Sequence, residues 1–262
     1  MRRCDMTSTD PALLDTAVAL LREAGDLTLR WFRSSSLEIE RKGDGTPVTE
    51  ADKAAERFLR EQITARFPDD SIVGEEEDDV VGTSGRRWII DPIDGTKAFT
   101  HGVPLYTNLL AVEDEEGPAV GVIHMPGLSE TVYAGRGLGC FCNDEPARVS
   151  TRDRIAGSYL SSSAFEHWSD AMLGAVRTSG AFMRTWGDGF GFALVATGRI
   201  DTMCDPVAAL WDVAPMPVIL AEAGGRFTDL DGNPSPAGGN GLATNGVLHD
   251  QWLERFAGLP RT

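Results

Sequence analysis

The chain has 262 residues, 42% of them apolar, with 40 acidic against 24 basic side chains and a net charge of −16. That length suffices for one large domain or two modest ones with a sizeable core, and the negative balance argues against nucleic acid as the main ligand, because phosphate backbones are met with Lys and Arg. No run approaches the ~20 continuous apolar residues of a membrane span, and MRRCDMTSTDPALLD has two arginines without the apolar core of a signal peptide, so the expected location is the cytoplasm, away from membranes.

Residues 11–33 repeat apolar side chains at three and four (Leu13, Leu14, Ala17, Leu20, Leu21, Leu27, Leu29), which predicts an amphipathic helix. SLEIERKGDGTPV predicts a short strand and a glycine-rich turn. A second helix is expected in TEADKAAERFLREQITARFPDD, with Thr49 as N-cap, Asp52 at the third helical position and Pro68 past its end. SIVGEEE reads as a short strand ending in acids, and RRWIIDPIDGTKAF as an apolar strand running into Asp91-Pro92-Ile93-Asp94-Gly95-Thr96. LYTNLLAVE, PAVGVIHMP, ETVYAGR and GCFCND look like an antiparallel meander. From about residue 151 strands and helices alternate: SYLSSS, a helix near 167–177, FMRTWG, a helix GDGFGFALVATG, RIDTMCD, a helix WDVAPMPVILAEAGG, RFTDL, GLATNG and a last helix HDQWLERFAG. This change of texture predicts layered α/β packing and two halves, 1–150 and 151–262, packed tightly together. Cys4, Cys140, Cys142 and Cys204 are scattered and read as reduced thiols, and the four histidines suggest no metal cluster.

The acids carry the chemistry. Hard divalent cations take oxygen ligands, and a two-metal site with ions ~3.5–4 Å apart needs one carboxylate able to bridge them and others flanking it. Asp91 and Asp94 at a strand end could supply both, with the Ile93 carbonyl as a further oxygen. Read alone, this D-x-x-D more often belongs to acids that merely cap a turn or the following helix. GEEEDD (74–79) brings Glu75 directly after an apolar run, Asp212 could be the N-cap of an apolar helix whose early turn Pro217 distorts, and Asp52 could complement a helix dipole.

Four blocks in order decide between these readings: GEE at 74–76, WIIDPIDGTKAF at 88–99, WDVA at 211–214 and EAGG at 222–225. Together with KGDGTPVTEAD at 42–52, they resemble the inositol monophosphatase family of Mg²⁺-dependent phosphatases over roughly residues 12–256. The resemblance implies a layered αβαβα sandwich, α/β and α+β in class: an N-terminal α+β half with an antiparallel sheet and most metal ligands, and a C-terminal α/β half with the substrate pocket. It implies two or three Mg²⁺ ions, or Mn²⁺. Glu75, Asp91 and the Ile93 carbonyl would hold one, Asp91, Asp94 and Asp212 a second, and Glu75 with waters a third. Asp52 and Thr96 would orient and activate the attacking water, with Glu76 in support, and the amides of Gly95 and Thr96 would face phosphate oxygens. A homodimer is the expected assembly.

Substrate choice then falls to RTWGDGFGFALVATGRIDTMCDPVAALWD. Inositol phosphatases of the family place a glutamate at the position of Asp205 and small or hydroxyl residues at that of Asp188. R-x-W-G-D together with Asp205-Pro206 resembles the histidinol-phosphate phosphatase branch, whose substrate offers an amine and an imidazole to carboxylates such as Asp188 and Asp205. Asp188 could instead cap its helix. The resemblance therefore implies a histidinol-phosphate phosphatase of histidine biosynthesis. An inositol-1-phosphate phosphatase is the runner-up, and a regulator acting through protein partners on the same fold is the reading of another class.

Overall fold

The computed structural model describes residues 7–35, 39–41, 43 and 47–261; Cys4 and positions 42 and 44–46 of the KGDGTPVTEAD stretch lie outside them. Helix α1 (Pro11–Leu29) opens the chain, capped by Asp10 and buried along Leu13, Leu14, Ala17, Leu20 and Leu21. It ends before the expected residue 33, because the chain turns after an exposed Leu29 to set Trp31 and Phe32 against Phe99 and Tyr106. Strands β1 (Ile39–Arg41) and β2 (Pro47–Thr49) pair antiparallel and lead into α2 (Glu50–Arg66). Thr49 caps α2, and Asp52 reaches back to the Thr49 amide in a full capping box, as the spacing predicts.

A seven-stranded sheet follows: β3 (Ser71–Gly74), β4 (Arg87–Asp94), then, after the short helix α3 (Thr96–Thr100), β5 (Thr107–Asp114), β6 (Gly117–Met125), β7 (Glu130–Gly135), β8 (Gly139–Cys142) and β9 (Glu145–Pro146), hydrogen-bonded in that order. The expected antiparallel meander is β5–β8, which β4 and β9 extend at its two ends, while β3 joins β4 in parallel. The second half contains β10 (Tyr159–Ser161), α4 (Asp170–Ser179), β11 (Phe182–Arg184), α5 (Asp188–Ala196), β12 (Thr202–Asp205), α6 (Leu210–Val213), α7 (Met216–Ala223), β13 (Arg226–Thr228), β14 (Gly241–Thr244) and α8 (His249–Phe256). Its five strands lie in the order β11-β10-β12-β14-β13, parallel at the first end and antiparallel at the other. The single helix expected from Trp211 is two: Pro215 caps α7 and Pro217 falls in its first turn, where a missing amide costs nothing.

Alternate residues of β4 explain the layering. Trp88 and Ile90 pack with Leu20, Leu21 and Leu59 of α1 and α2, while Ile89 meets Ala214 on the other side. Both faces of this strand are therefore covered, which is why it reads as a continuous apolar run rather than an alternating one. Phe192, Ile219 and Val213 fill a middle layer against Leu109 and Ile123 of the first sheet and Met203 and Ala243 of the second. Helices α4 and α8 cover the far face through Met172, Val176 and Trp252. The result is an αβαβα sandwich. Cys140, Cys142 and Cys204 are free thiols, and no helix among the described residues is long and apolar enough to cross a membrane.

Candidate active site

In a regular strand residues three apart point to opposite faces. Asp91 and Asp94 escape that rule because the pairing of β4 with β5 shifts register between them, a bulge spanning Pro92 and Ile93. Asn108 secures the bulge, its side-chain amide donating to the Pro92 carbonyl. The bulge turns both acids toward Asp212 of α6, and one oxygen from each of the three lies within 4.8 Å of the others. Asp212 is not the N-cap expected of it. It is the third residue of α6 and reaches back to accept the Ala209 amide at 2.7 Å, which orients its carboxylate. Glu75 arrives from the loop after β3: Gly74 pairs with Ile90, so the next residue of that strand falls beside Asp91.

These acids line one face of a cleft of about 500 Å³ between the two sheets, with Gly95, Thr96 and Lys97 on one wall and Asp188, Asp205 and Val207 on the other. Lys97 and Glu166, both exposed, meet at 3.5 Å. Asp94 Oδ2 is held by the Thr107 hydroxyl at 2.6 Å and by the Gly189 amide. Neither donor stood out in the sequence, because both are made relevant by strand and helix packing rather than by spacing. Gly95 is left-handed at φ 78°, and a Cβ there would lie 2.8 Å from Asp188 Oδ2, so only glycine fits both the turn and the approach.

Crowding like charges in a dry place makes ionisation costly. Burial first, then Glu75, Asp94 and Asp212, raises the Asp91 carboxyl well above its ordinary value. Asp94 is raised by burial and by Asp188 and Asp212, against the opposing bonds from Thr107 and Gly189. Burial pushes Asp212 up to about 7 and Asp52 up to about 6. Asp91 Oδ1 and Asp52 Oδ1 are buried without a hydrogen-bond partner. Carboxylate oxygens of Asp91, Asp94 and Asp212 gathered at one point, with Asp91 Oδ1 left without a donor, are the donor set of a hard divalent cation, and the site fits one.

Other expected residues are placed differently. Thr96 donates to the Ile93 carbonyl at 3.1 Å and does not pair with Asp52, whose Oδ2 is taken by the Thr49 amide and hydroxyl at 2.8 and 2.6 Å. Asp52 lies behind Asp91 and adds to its charge crowding. Glu76 does not line the acid cleft; it faces a separate depression with Arg57 and Arg60. Asp188 is the first residue of α5 and is left-handed at φ 56°, so Gly187 and not Asp188 holds the capping position. Its carboxyl is raised by burial, against Ser163 and Lys97, which lower it. Asp205 is engaged by Ser162 Oγ, Ser163 N and Ser163 Oγ at 2.6–2.9 Å, and Ser163 Oγ in turn accepts the Asp188 amide at 2.7 Å. Ser163, which the sequence did not flag, therefore links the two acids of the far wall.

Residues 11–259 match the family model described as the inositol monophosphatase family. The histidinol-phosphatase of Chlorobaculum parvum is 42% identical over 235 residues, covering 88% of this chain and 91% of that protein. The histidinol-phosphatase of Mycobacterium tuberculosis is 39% identical over 250 residues, covering 92% and 96%. Among solved structures, the Thermotoga maritima IMPase superposes with a TM-score of 0.83 at 33% identity, covering 93% of this chain and 96% of that one. A match that runs from the first helix to the last takes in both walls of the cleft and every acid in it, and the chain belongs to the inositol monophosphatase family of phosphatases.

Proposed function

We propose that the chain is a Mg²⁺-dependent histidinol-phosphatase, hydrolysing L-histidinol phosphate to L-histidinol and phosphate in histidine biosynthesis. The observation that carries the substrate choice is Asp188, a half-buried carboxylate that lines the cleft next to Gly95, where a cationic leaving group gains a charged partner beside the phosphate. The names and identities of the two bacterial relatives support the same substrate. Inositol 1-phosphate is the second reading, favoured by the likeness to the Thermotoga enzyme.

Glu75, Asp91 and the Ile93 carbonyl would hold one Mg²⁺, Asp91, Asp94 and Asp212 a second, and Glu75 a third with waters. Bound there, the cations offset the charge of the phosphate and of the departing oxygen and favour ionisation of water. The remaining work falls to the chain itself. Gly95 and Thr96 present backbone amides to phosphate oxygens at the start of α3. Asp52, raised to about 6, accepts a proton from the attacking water through Thr96 once that hydroxyl leaves the Ile93 carbonyl. The water oxygen bonds to phosphorus, the ester P–O bond breaks, and the alcohol oxygen leaves with the bonding pair and takes up a proton. Asp188 holds the amine or imidazole, and Asp205, through Ser163, holds Asp188. The two chain halves, 1–150 and 151–262, supply one wall each. A homodimer in the cytoplasm is the proposed setting.

The test is phosphate release from L-histidinol phosphate, inositol 1-phosphate and glycerol 2-phosphate, with Mg²⁺ and with EDTA. A kcat/KM for histidinol phosphate ~100-fold above the others, ~2.7 kcal/mol, is expected. Asp188→Ala should cost histidinol phosphate ~10–100-fold, the ~1.5–3 kcal/mol of a charged hydrogen bond, and glycerol phosphate little. Equal losses on both would remove Asp188 from substrate recognition.

A further inference from the structure

The face of α2 that carries Asp52 continues with Glu56 and Arg60, four and eight residues on, so the three side chains sit one above another. Glu56 is 0% exposed and Arg60 7%. Glu56 Oε1 accepts Arg60 Nε at 2.8 Å and the Glu77 amide at 3.0 Å, and Oε2 accepts the Glu76 amide at 2.9 Å. Arg60 sends its outer nitrogens to the carbonyls of Glu77 at 2.8 Å and Asp78 at 3.0 Å. On the other side of Glu75, Gly74 is bound into the sheet opposite Ile90 and pressed against the same ion pair: a Cβ there would lie 2.3 Å from Glu56 Oε1 and 2.7 Å from an Arg60 nitrogen. The backbone is thus pinned immediately before and immediately after Glu75.

Two buried charges are an expensive way to fill space, and apolar side chains of similar volume often serve as well or better. What this pair adds is a set of fixed positions for two amides and two carbonyls of the loop. We propose that Glu56 and Arg60 are positioning residues that hold the Glu75 backbone so that its carboxylate meets Asp91 for cation binding. This rests on Glu75 being a cation ligand. Asp52 and the clamp share one helix, so a single element carries both the buried acid behind Asp91 and the residues that hold the Glu75 loop.

The test uses the full chain and Mg²⁺ alone as ligand. Glu56→Gln puts a side-chain NH₂ where one of the two loop amides now donates, and Arg60→Lys keeps the ion pair but loses the fork to the two carbonyls. Each is expected to raise the Mg²⁺ midpoint of the thermal stabilisation at least ~10-fold, in the range for groups that support metal ligands. Hydrogen exchange at the Glu76 and Glu77 amides should quicken, and kcat on glycerol 2-phosphate should recover at saturating Mg²⁺ with KM unchanged. A lower Tm with an unmoved Mg²⁺ midpoint in the variant that folds would reduce the clamp to ordinary stabilisation and overturn the proposal. Glu75→Gln separates the two levels. If it shifts the midpoint and the clamp variants do not, only the clamp fails; if it leaves the midpoint where it was, the ligand assignment fails and the clamp's role with it.

Discussion

Replacing Asp212 by Asn keeps a hydrogen-bond acceptor for the Ala209 amide and removes one negative charge from the buried cluster. Without a cation, burial, together with Glu75, Asp205 and Asp188, pushes this carboxyl from an ordinary 3.8 up to about 7, although the Ala209 amide lowers it. Because the folded value lies above the unfolded one, the stability linked to the group is complete below pH 3.8 and is lost as pH rises to about 7. At ~1.4 kcal/mol per unit the full loss at pH 8 is ~4 kcal/mol, and at pH 5.5 it is ~2 kcal/mol. Neighbouring acids take up part of the change, so Asp212→Asn should gain ~2 kcal/mol at pH 8 and ~1 kcal/mol at pH 5.5. At ~2–4 °C per kcal/mol for a chain of this size, that is a rise in Tm of ~4–8 °C at pH 8. The assay is thermal unfolding in EDTA at both pH values, repeated with Mg²⁺. In Mg²⁺ the order should reverse, because only the wild type regains its full ligand set, and turnover of the variant should fall at least ~1,000-fold, ~4 kcal/mol of transition-state stabilisation. An Asp212→Asn protein that melts below wild type in EDTA at pH 8, or is stabilised by Mg²⁺ as strongly, would refute the charge-crowding argument.

Thr107→Val removes one of the two donors on Asp94 Oδ2 while preserving shape; a Mg²⁺ midpoint ~10-fold higher by calorimetry is expected, since such supporting bonds carry that much metal affinity. Asp188→Gly relieves a left-handed backbone that costs a non-glycine residue ~1 kcal/mol, so it should melt above Asp188→Ala while losing the same preference for histidinol phosphate. Equal melting temperatures for the two would argue against strain there. His124 is buried, and burial holds it down to about 4. A histidine kept neutral in the fold penalises the native state as pH falls below 6.5, when the unfolded chain takes up the proton. Between pH 7.5 and 5 that is ~2 kcal/mol, so chemical denaturation of wild type and His124→Gln should converge by about that amount as pH drops. Parallel curves would place the titration elsewhere.

Much of the architecture can be read directly from local pattern. The three-and-four spacing of Leu13, Leu14, Ala17, Leu20 and Leu21 marks the buried stripe of α1, and Thr49 with Asp52 marks the start of α2, because helix faces and caps are set by residues within a turn of each other. Asp91-Pro92-Ile93-Asp94-Gly95 likewise announces a strand end rich in carboxylate oxygens. The ends of elements were less legible: α1 stops four residues early because Trp31 and Phe32 have an aromatic site to fill, and the α6–α7 break follows from two prolines whose tolerance depends on which turn they occupy.

The amino-acid sequence by itself determined the helices, the meander and the identity of the acids, since these depend on neighbours along the chain. Tertiary structure alone decided what the acids do to one another. A register shift against β5 brings Asp91 and Asp94 together, α6 delivers Asp212 from 118 positions beyond Asp94, and Ser163 ties Asp188 to Asp205. The same is true of Glu56, an unremarked acid in a charged helix until burial against Gly74 and two loop amides gives it a place. Charge repulsion, desolvation and hydrogen bonding act through distances of a few ångströms, and those distances exist only once the chain has folded.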